Sequence, residues 1–302
     1  MAEASFSLRE LRDAAPADAA DPESLMAEDG VVLAYRRYAP ASPRAALLFY
    51  HGGGAHSGAG YQWLGRGLQS QADVAVYMPD LRGHGASGGP RGDAPSPAQV
   101  WGDIATFVTH IRSELRQVPV FLGGHSSGAG LALNYSGWPD REVVSGYVLL
   151  SPQLGAQAHT DRPSQAAPFT RVHAASFAGY FESGGAAHGH DYAVRFNYPS
   201  ELIAADPGMV TAITVTMSVA LTPAAPQRQF ASLDRPLGLW IGSEDELFVP
   251  GAVLAYADLV EDADKRSEAA IIPGARHLSV LIRAHEAIGP WITRTATSTL
   301  PD

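Results

Sequence analysis

The sequence predicts an α/β protein: a mostly parallel sheet with helices on both faces. Three observations predict it. Short apolar runs rich in β-formers alternate with helix-spaced segments along most of the chain. Several of those runs, such as residues 45–50 and 143–150, are apolar throughout rather than alternating, as strands buried on both faces are. One of them, residues 118–123, runs directly into Gly124-His125-Ser126-Ser127-Gly128 and a small-residue helical pattern. A chain of 302 residues, 46% hydrophobic and 17% charged, is long enough to bury a sizeable core in one α/β domain.

The elements follow in order. Residues 1–22 read as a leader with a short helix around 8–15. Strands are expected at 23–27 and 31–38, joined by a turn at Asp29-Gly30. A buried strand at 45–50 enters His51-Gly52-Gly53-Gly54, whose backbone can approach a ligand closely. A helix at 61–71 and a strand at 74–78 precede a Gly- and Pro-rich loop at 81–97. The next helix, 98–117, keeps Val100, Ile104, Phe107, Val108, Ile111 and Leu115 on one face. After the helix that ends near 137 come strand 143–150, strand 236–241, helix 251–260, strand 269–272 and helix 280–293.

Residues 155–234 break this rhythm. They hold no clear strand, and aromatics are scattered through them (Phe169, Phe177, Tyr180, Phe181, Tyr192, Phe196, Tyr198). The stretch is too long for a structureless loop and too aromatic for a disordered one. It is expected to be a mostly helical cap over the end of the sheet. The expected division is therefore a leader at 1–22, a core at 23–154 and 235–302, and a cap at 155–234.

Charge and composition exclude some functions. The net charge is −10 and no Lys/Arg cluster occurs, which argues against nucleic-acid binding. There is no cysteine, so neither disulfides nor thiolate chemistry are available. No signal-peptide-like or bilayer-length apolar run is present, and a cytoplasmic protein without an integral membrane segment is expected. Oligomeric state has no signature in the sequence.

The chemistry centres on Ser126. A strand, a sharp Gly-x-Ser-x-Gly turn and a helix hold a serine hydroxyl out from a strained backbone, with the Ser127 N–H at the helix start beside it. A serine nucleophile needs a base, and the base an orienting acid. Asp245 follows the strand at 236–241, and His277 follows the strand at 269–272, in the chain order serine, acid, histidine. Glu244 and Glu246 flank Asp245 and compete for its role. His51, His84, His125 and His285 are the other histidines weighed as base: the first three precede the acid, and His285 falls inside a helix. His51 is expected to fix its loop by hydrogen bonding. A second oxyanion donor is expected from the glycine loop, at Gly53 or at Gly54. His188-Gly189-His190-Asp191 matches no closed set of metal ligands and reads as a solvated loop.

These stretches resemble the monoacylglycerol lipase and lysophospholipase branch of the α/β-hydrolases, a group also described as serine-aminopeptidase-like. The resemblance rests on 50–58 (Tyr-His-Gly-Gly-Gly-Ala-His-Ser-Gly), 79–88 (Pro-Asp-Leu-Arg-Gly-His-Gly-Ala-Ser-Gly), Gly124 to Gly128, 242–245 and 274–277. It implies an eight-stranded, mostly parallel sheet with an inserted helical cap, and carboxylic ester hydrolysis without a cofactor. By that matching Ser126, Asp245 and His277 fall on the catalytic triad, and Gly53 and Ser127 on the oxyanion donors. The chain departs from lipase relatives at Ser127, where they commonly carry methionine, and in 155–234, which shows no apolar membrane-docking pattern. A smaller or more polar ester, lactone or thioester is therefore expected as readily as a long-chain lipid. The rival expectations are an acyltransferase, thioesterase or cyclase using the same residues, and a non-catalytic binding protein on the same fold.

Overall fold

Eight strands form the central sheet in the order β1-β2-β4-β3-β5-β6-β10-β11. They are β1 (Glu23–Met26), β2 (Val32–Tyr38), β3 (Ala45–Tyr50), β4 (Val74–Pro79), β5 (Val120–His125), β6 (Gly146–Leu150), β10 (Leu237–Gly242) and β11 (Glu268–Ile272). Strand β2 runs antiparallel to β1 and β4; the other pairings are parallel. In this computed structural model the described residues are Glu10, Ala14, 18–163, 168–261 and 266–297. The short helix expected around 8–15 lies outside them, apart from Glu10 and Ala14.

The buried strands explain the continuous apolar runs. Along β3, Ala46, Leu48 and Tyr50 face one hydrophobic cluster, while Ala45, Leu47 and Phe49 face the other. Helices α2 (Pro97–Glu114) and α3 (Ser127–Ser136) cover the first face. Helices α1 (Gln62–Gln71), α9 (Val280–Arg283) and α10 (His285–Thr297) cover the second. Helix α2 starts where its sequence says it should: the Ser96 hydroxyl accepts the Gln99 N–H at 3.1 Å, and Pro97 takes the first position. No helix among the described residues is long and apolar enough to cross a membrane.

The loops after β3, β5, β10 and β11 all leave the sheet at its carboxyl edge, where open α/β sheets bind ligands. Between β6 and β10, residues 155–234 hold α4 (Ala174–Glu182), α5 (Ser200–Ala205), α6 (Val215–Leu221) and α7 (Pro226–Ala231). They also hold β7 (Thr170–Val172), β8 (Tyr192–Phe196) and β9 (Ala212–Thr214), an antiparallel three-stranded sheet. That sheet is an addition to the helical expectation. Its strands are short, and β7 is exposed along its whole length, so no apolar alternation marks them.

Other boundaries shift. The helix expected at 251–260 is α8 (Pro250–Leu254) continued by a 3-10 turn, Ala255–Leu259, anchored where Tyr256 packs on Phe230 at 5.0 Å. The helix expected at 280–293 is divided into α9 and α10 at Ala284 and extends to Thr297. Strand β6 starts at Gly146 rather than 143, because Val143 lies exposed outside the sheet.

Candidate active site

The turn from β5 into α3 is possible only with two glycines. A Cβ on Gly124 would lie 2.3 Å from the Gly128 carbonyl carbon, and one on Gly128 would lie 2.4 Å from the Tyr50 carbonyl oxygen. Strand and helix therefore cross at backbone contact. Between them Ser126 adopts φ 55° and ψ −120°, a conformation that side-chain-bearing residues avoid. The strain is held by hydrogen bonds. The Ser126 N–H donates to Leu150 at 3.0 Å, and the Ser126 carbonyl accepts from Gln153 at 3.0 Å and Ala129 at 3.1 Å.

Asp245 and His277, from the loops after β10 and β11, meet each other. His277 Nδ1 donates to Asp245 Oδ2 at 2.9 Å, with the side chains 2% and 0% exposed. The other Asp245 oxygen accepts the N–H groups of Leu247 and Phe248, both at 2.9 Å. Burial pushes the Asp245 pKa up, but the adjacent His277 and these hydrogen bonds outweigh it and hold the carboxyl below its ordinary value. Phe248 lies edge-on to the His277 ring at 5.3 Å and dries that side.

The competing carboxylates separate by geometry. Glu244 is exposed. Glu246 is buried and reaches His277 elsewhere: its Oε2 accepts the His277 backbone N–H at 2.8 Å.

The glycine loop sits against the elbow. Gly53 lines the same cavity as Ser126 and Ser127, and a Cβ added to it would stand 3.3 Å from Ser127 Oγ. His51 Nδ1 donates to the Gly52 carbonyl at 2.8 Å while its Nε2 accepts the Leu81 N–H at 3.1 Å. Fixing the Gly52 carbonyl fixes the peptide plane that carries the Gly53 N–H. Burial holds the His51 pKa at about 4, so it stays neutral with the proton on Nδ1.

Three positioning contacts come from residues the sequence reading did not select. Tyr61 accepts the Gly52 N–H at 2.6 Å and donates to His125 Nδ1 at 3.0 Å; His125 Nε2 then donates to the His277 carbonyl at 2.8 Å. One chain of hydrogen bonds thus ties the glycine loop to the histidine loop. Tyr198 donates to the Gly53 carbonyl at 2.7 Å, and Arg162 Nε donates to the Asp245 carbonyl at 2.6 Å. Tyr61 has only its place at the start of a helix to mark it. Tyr198 is 145 residues from its partner and Arg162 is 83, so no local pattern announces either.

In front of Ser126 lies a cavity of about 500 Å³, walled by apolar groups that include Phe169, Phe196, Ile213 and Leu221. The histidines of 188–191 lie away from this wall: His188 pairs with Asp191 and His190 with Asp93, each at 2.8 Å. No cluster of three or more metal-ligating side chains occurs among the described residues. A held imidazole and a strained serine at the wall of a cavity are groups that can support nucleophilic attack on a carbonyl.

Comparison with known proteins places the chain. The profile of a family described as "Serine aminopeptidase, S33" matches residues 41–281. The monoglyceride lipase of Rattus norvegicus is 34% identical over 137 residues, 44% of this chain and 44% of that protein. The aligned part covers less than half the length of the curated relatives it matches. Among solved structures, a soluble variant of monoglyceride lipase from Saccharomyces cerevisiae superposes with a TM-score of 0.69 at 16% identity, covering 97% of this chain and 99% of that one. The monoacylglycerol lipase of Paleococcus ferrophilus gives 0.62 at 20% identity, over 87% and 99%. At such identities the structures establish the fold. The chain belongs to the serine aminopeptidase, S33, family and has the α/β-hydrolase fold.

Proposed function

We propose that this protein is a serine hydrolase that cleaves a carboxylic ester through an acyl-enzyme on Ser126. The observation that carries the reading is the buried His277–Asp245 pair at 2.9 Å, together with a serine of strained backbone on a cavity that Glu246, Leu247 and Phe248 of the Asp245 loop also line. Ser126 Oγ attacks the ester carbonyl while His277 Nε2 takes its proton. Asp245 holds the imidazole with its other proton on Nδ1 and stabilises the imidazolium as it forms. The Gly53 and Ser127 N–H groups receive the oxyanion, a stabilisation on the order of 3 kcal/mol per donor. The alcohol leaves with the proton from His277. Water then attacks the acyl-enzyme by the same route and releases the acid.

Residues 155–234 serve in this reading as the cap that shapes the acyl pocket, over a core formed by 23–154 and 235–302. The lipase and esterase activities named for relatives support an ester as substrate. The test is labelling by a fluorophosphonate probe. Wild-type protein is expected to label, and Ser126→Ala to lose labelling completely; retained labelling in the variant rejects Ser126 as the nucleophile.

A further inference from the structure

The carbonyls of Gly52, Gly53 and Gly54 each accept a hydrogen bond. His51 Nδ1 donates to the first at 2.8 Å, Tyr198 to the second at 2.7 Å and the Val210 N–H to the third at 2.7 Å. The Gly53 and Gly54 N–H groups have no acceptor among the described residues, so the loop keeps these donors free. It lies against the elbow, since a Cβ on Gly52 would stand 3.1 Å from Ser126 Cβ. Three glycines in a row have wide conformational freedom, and contacts from outside must fix where their N–H groups point. Val210 supplies such a contact twice. It donates to the Gly54 carbonyl, and its own carbonyl oxygen would lie 2.3 Å from a Cβ on Gly54, which adopts φ 72°.

Val210 ends the turn at 206–210, which follows α5. The two Asp206 oxygens divide the work of holding that turn. Oδ1 accepts the Gly208 N–H at 2.9 Å and closes it, while Oδ2 accepts from His56 Nε2 at 2.7 Å. His56 continues the glycine loop, two residues past Gly54. Its Nδ1 accepts the Gly58 N–H at 3.2 Å, which leaves the proton on Nε2. A second anchor holds the turn to the core independently: the Gly208 carbonyl accepts from Arg91 Nη2 at 2.6 Å and from the Gly85 N–H at 3.2 Å. Among the described residues, those lining the cavity in front of Ser126 include none of Asp206, His56 and Val210. We infer that Asp206 is a positioning residue for the glycine loop. Through His56 it holds the turn, and through the turn the Gly54 carbonyl, so it acts on the chemical step rather than on substrate affinity. The inference rests on the ester-hydrolase reading above and deepens it.

The test compares wild type, Asp206→Ala, His56→Ala and the double variant on the best substrate among p-nitrophenyl acetate, butanoate and octanoate. It reads kcat, KM and the inhibition constant of an alkyl trifluoromethyl ketone, whose adduct with serine carries the oxyanion. In each single variant kcat is expected to fall about tenfold or more, with KM within about twofold of wild type. Ketone affinity and the rate of fluorophosphonate labelling are expected to fall in step with kcat/KM. The double variant is expected to match the singles, because all three remove one contact. His56→Gln, whose amide can donate in place of Nε2, is expected to recover about threefold or more over His56→Ala. A KM that rises while kcat and the labelling rate hold assigns the turn to pocket shape and overturns the inference. So do losses that multiply in the double variant, or no recovery in His56→Gln. Should an alanine variant fail to fold, Asp206→Asn, which keeps the shape but only one acceptor, decides by the same split between kcat and KM. Each of these results leaves the hydrolase reading standing. Wild-type protein that neither turns over an ester nor labels with the fluorophosphonate overturns that reading, and the inference with it.

Discussion

Two neighbouring carboxylates, Asp245 and Glu246, both reach His277 and do different work there. Asp245 accepts a hydrogen bond from Nδ1; Glu246 accepts one from the backbone N–H. Asp245→Asn is therefore expected to present the wrong tautomer to Ser126 and to lower kcat by about 10³- to 10⁴-fold with little change in KM. Glu246→Gln keeps an acceptor for the backbone N–H, and a loss of about fivefold or less is expected. Steady-state kinetics on one p-nitrophenyl ester decides it, and equal losses in the two variants contradict the division of roles. From the sequence, Asp245 could be singled out only by its distance from the turn glycine, with Glu244 and Glu246 still competing. Ser126 and His277 could be singled out because each follows a strand by way of a turn that glycine marks, at Gly124 and at Gly274. Tyr61, Tyr198 and Arg162 were not, since their meaning lies in contacts that only the folded chain creates.

At the scale of elements, the loop between β4 and α2 is held by a buried ion cluster. Arg82, 2% exposed, donates to both Asp103 oxygens at 2.7 and 2.6 Å and to Asp29 at 2.9 Å. Burial pushes the Asp103 pKa up, and Arg82 offsets part of that rise. Asp103→Ala leaves the guanidinium buried against nothing of opposite charge but the partly exposed Asp29. It is expected to cost about 3–5 kcal/mol of unfolding free energy. Asp29→Ala, on the solvent side of the cluster, is expected to cost about 1 kcal/mol or less. Urea denaturation of the two variants measures both, and equal costs would deny the cluster its buried anchor. The core strands were readable because burial on both faces writes an unbroken apolar run. The sheet of β7, β8 and β9 was hidden because strands of three to five residues, one wholly exposed, leave no such mark.

At the scale of the whole molecule, three of the buried histidines, His51, His84 and His125, have pKa values that burial holds at about 4, 3 and 3. In the unfolded chain each protonates below about pH 6.5. Between that pH and the folded values the unfolded state binds more protons, so stability is lost as the solution is acidified through this window. Each histidine contributes a slope of up to about 1.4 kcal/mol per pH unit. The urea midpoint is expected to fall from pH 7 to pH 5, and His84→Asn, which cannot titrate, to flatten the fall. A midpoint independent of pH across this range would contradict it. The hydrogen bonds from Tyr198 to Gly53 and from Arg162 to Asp245 carry a wider consequence. The segment that shapes the pocket also props up the loops proposed to bear the oxyanion donor and the acid. Its sequence cannot drift toward a new substrate independently of the catalytic loops, and a graft from a relative would need both anchors to come with it.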